Sequence, residues 1–181
     1  MGFQFRVATV ADVPAIRELI SASVRELQVE YTPEEREAAL ATVFTVDSRL
    51  IADGTYFVAL APDGRLAGCG GWGKRKTLYG GDHQVETIEP ELLDPAVDAA
   101  KIRAIFVRPG FARQGLGGAI LALSEDAAKQ AGFARFEMGS TLAGVALYRL
   151  KGYREVQRIR VPVGGGHTIG VVRMVKDADA P

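Results

Sequence analysis

The stretch from Ala104 to Gly118, Ala-Ile-Phe-Val-Arg-Pro-Gly-Phe-Ala-Arg-Gln-Gly-Leu-Gly-Gly, constrains the chain more than any other. Its apolar run ends at Pro109-Gly110, which stops a β-ladder because proline has no N–H to donate. Beyond a glycine-rich loop, Leu116, Ile120, Leu123 and Ala127 recur at three- and four-residue spacing, one face of a helix. The order is therefore buried strand, tight loop, helix. Gly115 and Gly117 lack a Cβ, so the backbone there can turn sharply and approach a ligand closely. The first N–H groups of the helix have no intrahelical partner, and the helix dipole adds partial positive charge. Such a socket suits a phosphate or pyrophosphate, with Arg113 as a charge-assisted donor.

Two familiar phosphate sites are disfavoured by the residues that come after the loop. A nucleoside-triphosphate loop ends in Gly-Lys-Ser/Thr, and Gly117-Gly118-Ala119 has neither the lysine nor the hydroxyl. A dinucleotide fold asks for Gly-x-Gly-x-x-Gly, with an acid about 20 residues on. Gly115-x-Gly117 leads to Ile120 instead, and no third glycine closes the pattern. The glycines alone are also compatible with a plain tight turn.

The residues around this loop resemble a known family. Val107-Arg108-Pro109 followed by Ala112-Arg113-Gln114-Gly115-Leu116-Gly117 is similar to the central motif of the GNAT superfamily of N-acetyltransferases, Gln/Arg-x-x-Gly-x-Gly/Ala after a Val-x-Pro strand end. Ala146-Leu147-Tyr148-Arg149-Leu150-Lys151-Gly152-Tyr153 is similar to its second signature, Leu/Phe-Tyr-x-x-x-Gly-Phe/Tyr. The resemblance is specific over residues 100–155. Ala112 stands where the family usually has Gln or Arg, and Thr141 and Gly144 where Asn and Ala are common.

The resemblance implies a fold, a cofactor and an activity. The fold is a single α/β (α+β) domain over residues 1–181, with a mixed, mostly antiparallel sheet of six or seven strands and helices on both faces. The sheet splays between its fourth and fifth strands, and the gap offers main-chain groups of Ile105, Phe106 and Val107 to the amides of pantetheine. The pyrophosphate of acetyl-CoA then rests on the N–H groups of Arg113, Gln114, Gly115, Leu116, Gly117 and Gly118. The activity is acetyl transfer to a primary amine by direct attack, with Tyr148 as the acid that protonates the departing thiolate. An unperturbed phenol, with pKa ~10, is protonated at neutral pH and able to donate. The base stays open between Glu137, His83 and water. A non-catalytic acyl-CoA-binding sensor is the alternative from a different class.

The bulk properties fit this reading. Lys+Arg and Asp+Glu number 22 each, so no overall field draws the chain to nucleic acid or to a membrane. The lone Cys69 excludes an intrachain disulfide, and no Cys/His cluster has metal-ligand spacing. Nothing near Met1 resembles an export signal and no apolar run reaches membrane-spanning length, so the expected location is cytoplasmic.

Along the rest of the chain, Phe3–Val7 alternates as a strand, and Thr9 or Asp12 caps a helix with Pro14 in its first turn. A second helix starts at Thr32-Pro33-Glu34-Glu35 and is expected to run to about Thr45. In the resembled family this pair borders the acceptor pocket, which makes Glu26, Glu30 and Tyr31 candidates for substrate contact, against the simpler expectation of a solvated face. Residues 55–61 and Arg65–Gly73 form a hairpin, and Gly68, Gly70, Gly71 and Gly73 announce a bulge or a close backbone approach. Trp72 is either core or pocket wall. Cys69 reads as a small buried side chain.

Lys74–Ala99 is the least regular segment, a substrate-selecting lid or a surface loop, with a short helix expected over Leu92–Ala100. Its acidic run, Asp82, Glu86, Glu89, Glu91 and Asp94, either attracts a cationic amine or is a solvated charge run. A helix over 117–131, a strand over Ala134–Ser140, a helix over Gly144–Lys151 and strands over Tyr153–Pro162 and Thr168–Lys176 complete the order βααβββαβαββ, before a frayed tail at 176–181. The strands after Tyr153 offer an edge for a second copy, a possible homodimer.

Overall fold

The computed structural model describes residues 2–77 and 91–179. Seven strands form one sheet: β1 (Gln4–Val7), β2 (Tyr56–Leu60), β3 (Leu66–Gly73), β4 (Ala100–Val107), β5 (Arg135–Thr141), β6 (Arg154–Gly164) and β7 (His167–Asp177). Five helices accompany them: α1 (Val13–Leu27), α2 (Pro33–Leu40), α3 (Ser48–Ala52), α4 (Leu116–Gln130) and α5 (Val145–Leu150). The strand order is β1-β2-β3-β4-β5-β7-β6, antiparallel throughout except for the parallel β4–β5 pair. Parallel neighbours need a crossover, and α4 supplies it.

Helices cover both faces. On one, Ile16, Leu19, Ile20 and Val24 of α1 pack on Val58, Cys69 and Phe106. On the other, Leu116 and Ile120 of α4 pack on Ala59 and Ala67, and Leu121 joins Phe133, Phe136, Met138 and Met174. No helix among the described residues is long and apolar enough to cross a membrane.

The glycines of β3 have a steric cause. A Cβ on Gly71 would lie 2.1 Å from the Thr55 carbonyl oxygen, and one on Gly70 would lie 2.7 Å from Ile105 Cγ1 and 2.8 Å from Ile120 Cγ2. Gly70 also faces a β-bulge: pairing slips between Cys69 and Gly71, so Ala104 and Ile105 together stand opposite Gly70. Ala104 takes a positive φ of 53° there, rare for a residue with a Cβ. The Tyr56 hydroxyl donates to the Ala104 carbonyl at 2.8 Å and holds the bulge.

Three local expectations are corrected. The second helix stops at Leu40 rather than near Thr45, because the N–H groups of Thr42, Val43 and Phe44 all converge on the Ala39 carbonyl. The Thr42 hydroxyl meanwhile donates to Ala38 and to Val163 across the domain, competing with helix continuation. The short helix α3 was not anticipated; Asp47 caps it by accepting from Arg49 and Leu50 N–H groups. Leu92–Ala100 is not a helix: the Asp94 carboxylate accepts from Ala96 N–H, Asp98 accepts from Asp94 N–H, and Ala100 already opens β4. His83, Asp82, Glu86 and Glu89, with half of the lid expected over Lys74–Ala99, lie outside the described residues.

Overpacking against fixed backbone makes Gly71→Ala costly, by about 3 kcal/mol in urea unfolding. Gly110→Ala, where nothing lies within 4 Å of the added Cβ, should move stability by less than about 0.5 kcal/mol.

Candidate active site

The site begins where β4 and β5 part. Their ladder consists of Ala100↔Phe136 and Lys101↔Glu137, although β4 runs on to Val107 and β5 to Thr141. A cavity occupies the stretch beyond, walled by Ile102 to Phe106 from β4, Met138 to Thr141 from β5, and Tyr148 from α5. Backbone polarity on its β4 side follows from register. Arg108 N–H donates to the Ala67 carbonyl, so by antiparallel alternation the groups of Phe106 face β3 and those of Val107 face away from it. Phe106 offers the cavity its ring, edge-on to Phe44 at 6.0 Å between centroids.

After β4 the chain makes a short 3-10 turn at Pro109–Phe111, wedged by an edge-on contact of Phe111 with Phe3. Arg113 and Gly115 both adopt positive φ, 60° and 80°, and Gly115 caps α4 in the left-handed region. The first backbone bond of the helix is Ala119 N–H to the Gly115 carbonyl. Among the described residues, no acceptor meets the N–H groups from Arg113 through Gly118. Gln114 is exposed, Leu116 is buried beneath the turn, and the exposed Arg113 guanidinium has no ion-pair partner among the described residues. Arg108 is committed elsewhere, to the Leu66 carbonyl and to Glu18. One cation was missed from the sequence: Lys151 Nζ lies 3.4 Å from where a Cβ on Gly118 would sit, at the mouth of the same helix. Its signal was its place just before Gly152, whose left-handed turn (φ 90°) ends α5 and folds the chain back.

Tyr148 sits half-buried on the wall of the cavity, edge-on to Tyr153 at 6.0 Å. Burial pushes its phenol up to about 12, and among the described residues the hydroxyl has no hydrogen-bond partner. Gly144 makes room for the ring: a Cβ there would lie 2.8 Å from Tyr148 Cε2 and 2.9 Å from Ser140 Oγ. That accounts for glycine at a position where the resembled pattern carries alanine.

Glu137 is engaged rather than available. It lies on the closing pair of the β4–β5 ladder and is ion-paired to both Lys101 and Arg173. Burial alone would raise its pKa, but the hydrogen bonds from Lys101 and Arg173 outweigh it and hold the carboxyl low, which makes a weak base. Tyr31 is also structural: its buried hydroxyl donates to Gly170 at 2.6 Å and accepts from Leu142 N–H at 3.1 Å. Cys69 is fully buried, and burial pushes its thiol up to about 12. Trp72 is core, packed edge-on against Phe133. A pair that sequence reasoning missed, the buried Arg103 with the half-buried Asp47 at 3.0 Å, stands at the cavity, with Arg103 in its wall. Among the described residues, no group of three or more His, Cys, Asp or Glu side chains is placed to hold a metal ion.

With this geometry in view, the model of the acetyltransferase (GNAT) family matches residues 21–153. The chain belongs to that family. No curated protein matches the chain closely enough to count as a relative. Among solved structures, a GCN5-related N-acetyltransferase from Rhodopseudomonas palustris superposes with a TM-score of 0.71 at 18% identity, over 98% of this chain and 96% of its own. The PaiA N-acetyltransferase from Thermoplasma acidophilum, solved with coenzyme A, gives 0.66 at 13% identity over 98% and 99%. YncA from Salmonella typhimurium, solved with acetyl-CoA, gives 0.63 at 19% identity over 100% and 96%. At these identities the likeness establishes a shared GNAT fold, and the family match makes the chain an acyltransferase.

Burial raises the phenols of Tyr31, Tyr56 and Tyr153 as well as Tyr148. In absorbance titration, these four tyrosines should therefore ionise well above the free-phenol value of ~10, and Tyr148→Phe should remove one component near 12. The folded chain then keeps protons that the unfolded chain loses, so these groups make stability fall as pH climbs past about 10.

Proposed function

We propose that the chain moves the acetyl group of acetyl-CoA to a primary amine by direct attack. The observation that carries this is one cavity shared by the unpaired reach of β4 and the Tyr148 phenol, with a helix start bearing free N–H groups following that same strand in the chain. In this reading pantetheine lies along Ile105, Phe106 and Val107, and the amide arm completes the strand edge. The diphosphate rests on the N–H groups of Arg113, Gln114, Gly115, Leu116, Gly117 and Gly118, with Arg113 and Lys151 supplying charge.

The amine nitrogen forms its bond to the thioester carbon while the carbonyl oxygen gains charge. The Val107 N–H, turned away from β3, is the donor we assign to that oxygen, an electrostatic contribution that needs no motion at the moment of reaction. The carbon–sulfur bond then breaks, Tyr148 gives its proton to the thiolate, and the proton lost by the amine passes through water to restore the phenol. A phenol held near 12 stays protonated across the neutral range, so the proton is in place for the thiolate, although the phenol is a weaker acid than a free one. With Glu137 tied to two cations, water is the better route for the amine's proton.

Tyr148→Phe should lower kcat by about 100-fold, the lower bound of typical acid–base contributions. Acetyl-CoA affinity by calorimetry should stay within a factor of about two, since the ring remains to fill its place. A variant with full kcat would remove Tyr148 from the reaction and favour a sensor that holds the carrier without turnover.

A further inference from the structure

The cavity has a second half whose chemistry the transfer reaction leaves unassigned. It is walled by Val43, Phe44 and Thr45, the connection where α2 ends early, and by Val161, Ile169 and Val171 of β6 and β7, which share one apolar cluster with Val43. Arg103 is the one charged residue among the described residues of the wall, and its guanidinium is engaged by Asp47 at 3.0 Å, so the described wall offers no carboxylate to a second ammonium group. Phe44 and Thr45 also line a neighbouring cavity with Arg17, Ser21 and Leu40, so this pair is the wall junction common to both. Thr45 Oγ1 is buried at that junction with no hydrogen-bond partner among the described residues. A buried hydroxyl without a partner is costly, and a ligand group arriving there would relieve it.

Such a wall selects by solvation. An apolar body gains by burial here, whereas each extra ammonium group would lose its hydration with no carboxylate among the described wall residues to receive it. The same surroundings favour the neutral form of the one amine that must react, since desolvation lowers an ammonium pKa. That fits a site whose candidate carboxylate, Glu137, is already paired.

We propose that the acceptor is a primary amine with an apolar body and no second positive charge, seated against Val43–Thr45 and against Val161, Ile169 and Val171, with the Thr45 hydroxyl as its polar contact. This rests on the acetyl-transfer reading above and narrows its acceptor to arylalkyl- or alkylamine-like compounds, against polyamines.

The test is thiol release by the full chain with acetyl-CoA, using phenethylamine and spermidine as acceptors. Phenethylamine should exceed spermidine by at least about 100-fold in kcat/KM, as expected where a site must leave buried groups mismatched to reject a substrate. Phe44→Ala should raise the phenethylamine KM by about 10-fold, the scale of several lost apolar contacts, with acetyl-CoA affinity unchanged. Thr45→Val guards against a fold artefact: removing an unpartnered hydroxyl should leave the melting temperature unchanged or higher, yet raise the KM. Preference for spermidine, or unchanged KM in both variants, would overturn the acceptor assignment while leaving acetyl transfer intact. Failure of acetyl-CoA itself to bind in calorimetry would strike the underlying reaction instead. If acetyl-CoA binds but no amine turns over, phenethylamine must still bind the CoA-loaded protein in calorimetry, and absence of that heat overturns the assignment.

Discussion

The structure depends on a ladder that stops early. Two strands running parallel from Ala100 and Phe136 share two pairs and then stand on opposite walls of a cavity. Main-chain donors and acceptors left without a strand partner carry a free-energy cost unless water or a ligand meets them. The chain fixes the point of departure electrostatically, with Glu137 on the last pair held by Lys101 from β4 and Arg173 from β7. Those cations clamp three strands at the closed end, so the open end is a property of the fold rather than of a loosened edge.

Around that opening the elements serve position. The bulge at Ala104 shifts the register by one, so that Ile102 and Ile105 both turn to the α4 side. Tyr56 holds the displaced carbonyl, and Gly70 leaves room for Ile105 and Ile120 to meet across it. On the far side, Tyr31 ties the end of the α1–α2 connection to Gly170 and Leu142, filling hydrogen bonds that β5 no longer reaches. The acceptor-side helices and the turn leading into α5 are thus joined through one phenol.

Much of this was legible in the residues. The strand read at Phe3–Val7, the helix start at Thr32-Pro33-Glu34-Glu35 and the helices read over 117–131 and Gly144–Lys151 depend on a few residues each, and the structure returns them nearly as read, although all four residues of β1 are exposed. The loop into α4 was legible for the same reason, since glycine and proline constrain backbone directly. What was not legible depends on partners distant in sequence. Helix α2 ends where three N–H groups converge on Ala39, beside a Thr42 hydroxyl that reaches Val163, a contact 121 positions away. Glu137 looked free as a strand carboxylate until Lys101 and Arg173 were brought beside it. Arg103 and Asp47 are 56 positions apart and form a pair that no local pattern announces.

The burial of Cys69 beneath α1 has a practical meaning for anyone who works with this protein. It is the only sulfhydryl in the chain, it is fully covered, and its pKa lies near 12, so almost none of it is thiolate at neutral pH. A colorimetric disulfide reagent added to the folded protein therefore registers liberated coenzyme with no background from the polypeptide, and storage in air will not cross-link the molecules.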